Sequence, residues 1–200
     1  MAIKGIVFDL DGVYFESGKE EFMQALKHRF GLSYEEVKEV FIKSPEMERY
    51  KEGRMSGIDF WRFARERWCI DATISQLLAL LASSYTVNRK AQRLLRHLHK
   101  KGYKIIACSN NFKERISVLD KRFNFLRDFD VVVFSYCEGI RKPELLRCVI
   151  KKTHLSPEEV LFLDDHEALV ISARRAGFRA IYCGDPAKIE LYLAQGGIHA

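Results

Sequence analysis

A chain of 200 residues has room for one generous domain with a buried core, or for a core carrying a smaller insertion. Its 48% hydrophobic and 30% charged residues are those of an ordinary globular protein, and no apolar run reaches the roughly 20 residues of a membrane span. The formal charge of +6 is scattered through short clusters such as KHR, HKKGYK and KK with no long basic block, which speaks against nucleic acid as a partner and for mild attraction of small anions.

The first strand is IKGIVF, residues 3–8, which leaves no room for a leader segment and points to the cytoplasm. Four helical patterns follow. Phe22, Leu26 and Phe30 line one face of the first. Ser33 and Glu36 make a capping box for the second, which carries Val37, Val40 and Phe41. Ser56 starts the third, with Phe60, Phe63 and Ala64 on one side and Trp61 and Trp68 beside them. Ile74, Leu77, Leu78, Leu81 and Tyr85 recur at helical spacing in the fourth.

From Asn88 onward helix and strand alternate. A helix over 89–101 ends at Gly102, and KIIAC (104–108) is a strand. A helix over 112–122 precedes the strand VVVF (131–134), and Pro143 opens another helix. VLFL (160–163) is a strand, a helix over 167–176 ends at Gly177, RAIYC (179–183) is a strand and a helix covers 186–195. The final GGIHA is expected to be a loose tail. Five scattered cysteines, Cys69, Cys108, Cys137, Cys148 and Cys183, form no CxxC pair; they are expected to be reduced thiols used as small buried apolar side chains.

This alternation predicts an α/β fold: a parallel sheet with helices on both faces, built from residues 1–14 and 87–200. The connection between the first two strands is too long for one helix, so residues 15–86 are expected to be a helical insertion or lid, hinged near Tyr14 and Tyr85–Val87.

Ligands bind outside the carboxyl ends of such strands. Asp9 and Asp11 follow the first strand, and strand alternation would point both the same way around Leu10. Two such carboxylates repel unless a cation lies between them or one holds a proton. Ser109, Asn110 and Asn111 follow the second strand, Arg141, Lys142 and Pro143 the third, Asp164 and Asp165 the fourth. Taken singly, each set has a bland reading as a chance pair, a turn, a surface lysine or a helix cap. Together at one edge, two acidic pairs call for a hard divalent cation such as magnesium, and a serine, a backbone amide and a lysine form a cradle for an anion beside it.

The stretches DLDGV, CSNN, RKPE and FLDD, in that order, resemble the four motifs of the haloacid dehalogenase superfamily of phosphohydrolases, and the resemblance covers nearly the whole chain. The insertion is similar to the small helical cap of subfamily I. SYCEGIRKPELL resembles the branch holding sugar-phosphate phosphatases and the phosphatase domain of epoxide hydrolases. The resemblance implies that Asp9 is a nucleophile forming an aspartyl phosphate and that Asp11 protonates the leaving alcohol and then draws a proton from water. It implies magnesium held by the Asp9 carboxylate, the Asp11 backbone carbonyl and Asp165, with Asp164 alongside. Ser109, the Asn110 amide and Lys142 would grip the phosphoryl oxygens.

Asp11 favours phosphate chemistry over dehalogenation, because a departing halide needs no proton. No lysine stands out for an imine with a phosphonate substrate. The implied function is a cytoplasmic, magnesium-dependent phosphatase of a small phosphorylated metabolite. A phosphomutase or phosphotransferase would use the same residues, and a non-catalytic phosphate- or nucleic-acid-binding protein would not need the full acidic set. Two places depart from the family pattern or invite a second role. Leu169 stands where many relatives have an asparagine, with His166 and Glu167 read as a solvated helix start. Tyr14 and Phe15 are expected to pack at the hinge.

Overall fold

The computed structural model describes residues 2–16 and 18–198. Met1, Ser17, His199 and Ala200, which the core, insertion and tail expectations include, lie outside the described residues. Five strands, β1 (Gly5–Phe8), β2 (Lys104–Ser109), β3 (Val131–Phe134), β4 (Val160–Asp164) and β5 (Arg179–Tyr182), form one parallel sheet in the order β3-β2-β1-β4-β5. Parallel strands need helical crossovers, and these cover both faces. Successive side chains alternate between two apolar layers. Ile6, Phe8, Ile105, Ala107, Leu161 and Leu163 face one layer. Val7, Ile106, Cys108, Val160 and Phe162 face the other. Phe8 is level with Ala107 and Leu163, so the residues that follow these strands emerge together at one edge.

Five helices occupy the connection from β1 to β2 before the crossover helix: α1 (Gly18–Phe30), α2 (Tyr34–Phe41), α3 (Pro45–Lys51), α4 (Gly57–Trp68) and α5 (Ile74–Ser83). Four were expected. The extra one, α3, buries only Met47 and Tyr50, too few apolar positions to declare a period. Ser44 caps it, accepting the Met47 N–H at 3.0 Å, and Pro45 takes its first turn. The Ser33–Glu36 capping box is present, with bonds of 2.7 and 3.2 Å.

After the insertion come α6 (Arg89–Lys100), α7 (Lys113–Phe123), the four-residue α8 (Ser135–Glu138), α9 (Leu146–Thr153), α10 (Glu167–Arg175) and α11 (Ile189–Gln195). Pro143 does not open α9 as expected. It follows a cis peptide bond in a turn, and the helix begins at Leu146. Residues Pro186–Lys188 form a 3-10 turn ahead of α11. The described part of the expected loose tail is not loose: Ile198 is buried and its N–H donates to the Leu193 carbonyl at 2.9 Å. The cysteines also differ from expectation, for Cys69 and Cys137 are exposed and Cys148 is half-buried, with only Cys108 and Cys183 enclosed.

Where the insertion joins the sheet, Tyr14 and Phe15 are fully buried. Phe15 pairs with Val87, the Asn88 N–H donates to the Tyr14 carbonyl at 2.9 Å, and the Glu16 N–H donates to the Thr86 carbonyl at 2.9 Å. The Tyr14 hydroxyl donates to Asp128 at 2.7 Å. The insertion shares its apolar interior with the sheet side. Phe112, just before α7, stacks on Tyr50 of α3 at 4.5 Å and lies 6.3 Å from both Phe41 and Trp61. No helix among the described residues is long and apolar enough to cross a membrane.

Candidate active site

Asp9 is the first residue past β1, its N–H still bonded to the Leu163 carbonyl at 3.0 Å. Its carboxylate accepts the Leu10 N–H at 2.8 Å, meets the Lys142 ammonium at 3.1 Å and bonds the Ser109 hydroxyl. Burial raises the Asp9 pKa; Lys142 opposes this, and the charges of Asp164 and Asp11 reinforce it. Lys142 is itself buried, with its ammonium 2.5 Å from Asp164 and its N–H donating to the Asn110 side-chain carbonyl at 2.8 Å. Burial alone would lower the Lys142 pKa, but Asp9 and Asp164 outweigh it and hold the ammonium charged. Asp164 ends β4 fully buried and accepts the His166 N–H at 2.8 Å.

Oxygens of Asp9, Asp164 and Asp165 lie within 4.8 Å of one another. Asp165 is exposed on one side, yet loss of water around its carboxyl and then the charges of Asp9 and Asp164 push it up to about 7. The approach is close because residue 12 is glycine. Its φ is +69°, and a Cβ there would fall 2.1 Å from an Asp165 oxygen. Lys142 pairs with only two of these three carboxylates, Asp9 and Asp164, so negative charge is in excess and every free donor is oxygen. That donor set fits a hard divalent cation.

Asp11 does not share the face of Asp9. β1 stops at Phe8, and the chain turns so that the Leu10 carbonyl accepts the N–H groups of Tyr14 and Phe15 at 3.0 and 2.7 Å. The Asp11 carboxylate therefore leaves the Asp9 cluster for other partners, Arg115 at 2.9 Å and Lys19 at 3.0 Å. Burial works to raise its pKa, but these two cations hold it well below the usual carboxylate range. The expectation of an Asp11 free to carry a proton is thus met by an ionised, doubly paired carboxylate. Arg115 is buried and also donates to the Tyr85 hydroxyl at 2.8 Å and to the Asn111 side-chain carbonyl at 2.7 Å.

Sequence reasoning missed Arg115 and Lys19. Arg115 did leave a signal: it lies on the buried stripe of α7 with Ile116 and Leu119, where a charged residue needs a buried partner. Lys19, beside the start of α1, leaves none. Leu169 is half-buried on α10, and His166 and Glu167 are exposed as a solvated helix start would be.

The chain belongs to the haloacid dehalogenase-like hydrolases, whose family model matches residues 3–177. A Dictyostelium discoideum protein without a functional name is 25% identical over 143 residues, 70% of this chain and 61% of its own length. A phosphoglycolate phosphatase of Cereibacter sphaeroides is 33% identical over 89 residues, 44% of this chain and 41% of that protein. The matches thus span about three fifths or less of these relatives. The fold is shared with an enzyme of the same family from Bacteroides thetaiotaomicron, crystallised with magnesium and inorganic phosphate: TM-score 0.79, 22% identity, covering 90% of this chain and 94% of that one.

Proposed function

We propose that this hydrolase is a magnesium-dependent phosphatase acting on a small phosphorylated metabolite through an aspartyl phosphate on Asp9. The observation that carries the reading is the setting of Asp9, flanked by Lys142 and the Ser109 hydroxyl and within reach of the Asp164 and Asp165 oxygens. The magnesium and phosphate bound by the Bacteroides enzyme and the activity named for the Cereibacter relative support it. Magnesium held by the Asp9 and Asp165 carboxylates and the Asp11 backbone carbonyl, with Asp164 alongside, would screen the acids and draw charge from the phosphoryl group.

The chain's own residues do the rest. The Asp9 carboxylate attacks phosphorus, and the ester P–O bond breaks as the alcohol oxygen takes a proton from Asp11. Water then attacks the aspartyl phosphate, giving its proton to Asp11 and releasing phosphate with Asp9 restored. Lys142, Ser109 and the Asn110 amide hold the phosphoryl oxygens. Asp11 as paired here is in its proton-accepting form. Lys19, one of its two cations, belongs to the insertion, so residues 15–86 act as a lid over a core of residues 1–14 and 87–200, and its movement withdraws Lys19 and leaves Asp11 paired with Arg115 alone. Five free cysteines suit a reducing cytoplasm.

The test is turnover of p-nitrophenyl phosphate by the purified protein. Hydrolysis should require magnesium and stop with a chelator, and acid-quenched samples should carry phosphate on Asp9. Chelator-resistant turnover, or none with magnesium present, overturns the reading.

A further inference from the structure

Three cations from three helices, Lys19 of α1, Lys51 of α3 and Arg115 of α7, gather on the insertion side of the site near Asp11. Lys19 and Arg115 are bonded to Asp11. Lys51 has no such partner. Its side chain is 17% exposed, and the one carboxylate oxygen within 4 Å among the described residues belongs to Glu48, 3.9 Å away. The other Glu48 oxygen is engaged by Arg141. Lys51 is nonetheless fixed in place. Its backbone carbonyl accepts the Ser135 hydroxyl at 2.6 Å, and the same hydroxyl accepts the Asn111 N–H at 2.9 Å, next to Ser109 and Asn110.

Burial, and then the charges of Lys19 and Arg115, pull Lys51 down to about 8. A cation withdrawn from water without a close counter-ion is costly, and an arriving anion relieves the cost. The phosphoryl group does not account for it, because Lys142 and Ser109 already stand beside Asp9 for that purpose. The site is bipolar: surplus negative charge at the sheet edge suits a metal, and surplus positive charge on the insertion side suits something else on the substrate. With Lys19 and Arg115 committed to Asp11, one ammonium remains, a match for a single negative charge.

We propose that Lys51 binds a carboxylate on the alcohol half of the substrate, so that the preferred substrates are small phosphorylated hydroxy acids. This rests on the phosphatase reading, and the test keeps the two apart. Calorimetry on the Asp9→Asn protein with magnesium would compare two matched pairs that differ by a carboxylate against a hydroxymethyl group: 2-phosphoglycolate with 2-hydroxyethyl phosphate, and 3-phosphoglycerate with glycerol 3-phosphate.

In at least one pair the carboxylated ester should bind about tenfold tighter or more, as a charge-assisted bond implies. Adding Lys51→Met, or Lys51→Gln should the first variant fold poorly, should collapse that ratio to near one. Equal binding within both pairs, a ratio that survives both Lys51 substitutions, or no binding of any ester overturns the proposal. Hydrolysis of p-nitrophenyl phosphate by the unaltered protein is read separately. Its absence removes the phosphatase reading, while the binding ratio still decides the role of Lys51.

Discussion

Asp9 and Asp11 carry the same functional group two residues apart in different surroundings, Asp9 beside Lys142 and Asp11 between Arg115 and Lys19. On the proposed mechanism Asp9→Asn removes the nucleophile, so hydrolysis of every ester should fall to background. On the same proposal Asp11→Asn keeps Asp9 but loses the proton carrier. A nitrophenolate leaves without much help, whereas an alkyl phosphate needs the proton, so the loss should be greater for the alkyl ester by about tenfold or more. Equal losses on the two esters would remove Asp11 from acid catalysis. The DxD spacing made both residues legible in the sequence. Their divergence was not, because it depends on where β1 stops and on Arg115 and Lys19 arriving from distant helices. Away from the site, Asp128 has a pH signature of its own. Burial would raise its pKa, but bonds from Tyr14, Gln92 and Arg96 at 2.7–2.9 Å lower it. A carboxylate whose folded pKa is depressed adds stability that is complete above its unfolded value near about 4 and fades as pH falls through the folded value. Asp128→Asn should therefore cost about 2 kcal/mol at neutral pH, with the gap to the unaltered protein narrowing below about pH 4. Urea melts across pH would show it, and a gap independent of pH would place the stabilisation elsewhere.

The three inner strands, β1, β2 and β4, were legible to within a residue or two because, buried on both faces, they read as continuous apolar runs. α3 was overlooked although Ser44 and Pro45 spell a helix start, since seven residues with two buried positions show no stripe. That short helix nevertheless stacks Tyr50 on Phe112 and carries Lys51 near Lys19 and Arg115. Gly53, just beyond it, has a φ of +68°, and a Cβ there would fall 2.4 Å from the Tyr136 carbonyl oxygen. Backbone cannot yield as a flexible side chain would. Gly53→Ala should cost about 1–3 kcal/mol and free α3 from the α8 region. Hydrogen exchange should then accelerate in α3 while the sheet amides keep their protection. Unchanged exchange in α3 would show that the junction has slack.

A helical insertion between two strands invites description as a separate body, but the apolar interior argues for one cooperative unit. Phe112 enters the insertion's aromatic cluster, and Tyr14 and Phe15 tie its base to the sheet side. Thermal unfolding should be a single transition with equal calorimetric and van't Hoff enthalpies, and residues 15–86 expressed alone should not fold. Two resolved transitions would show the insertion to be independently stable. At this scale the sequence predicted the α/β class, the parallel sheet and the edge where Asp9, Asp164 and Asp165 collect. It did not predict the bipolar charge of the site, because Lys19, Lys51 and Arg115 lie far apart along the chain and meet only after three helices have docked.

Both tryptophans of the chain, Trp61 and Trp68, belong to α4. Tryptophan emission from this protein therefore originates entirely in the insertion, and the sheet contributes none of it. Trp61 is fully buried beside Phe112, and the Trp68 indole N–H donates to the Glu36 carbonyl at 3.2 Å. The molecule thus carries its own gauge of how the insertion packs on Phe112, with no label added. A ligand that lifts the insertion away from Phe112 wets Trp61 and moves the emission to the red, whereas an ion that only settles among the acidic side chains leaves its colour unchanged.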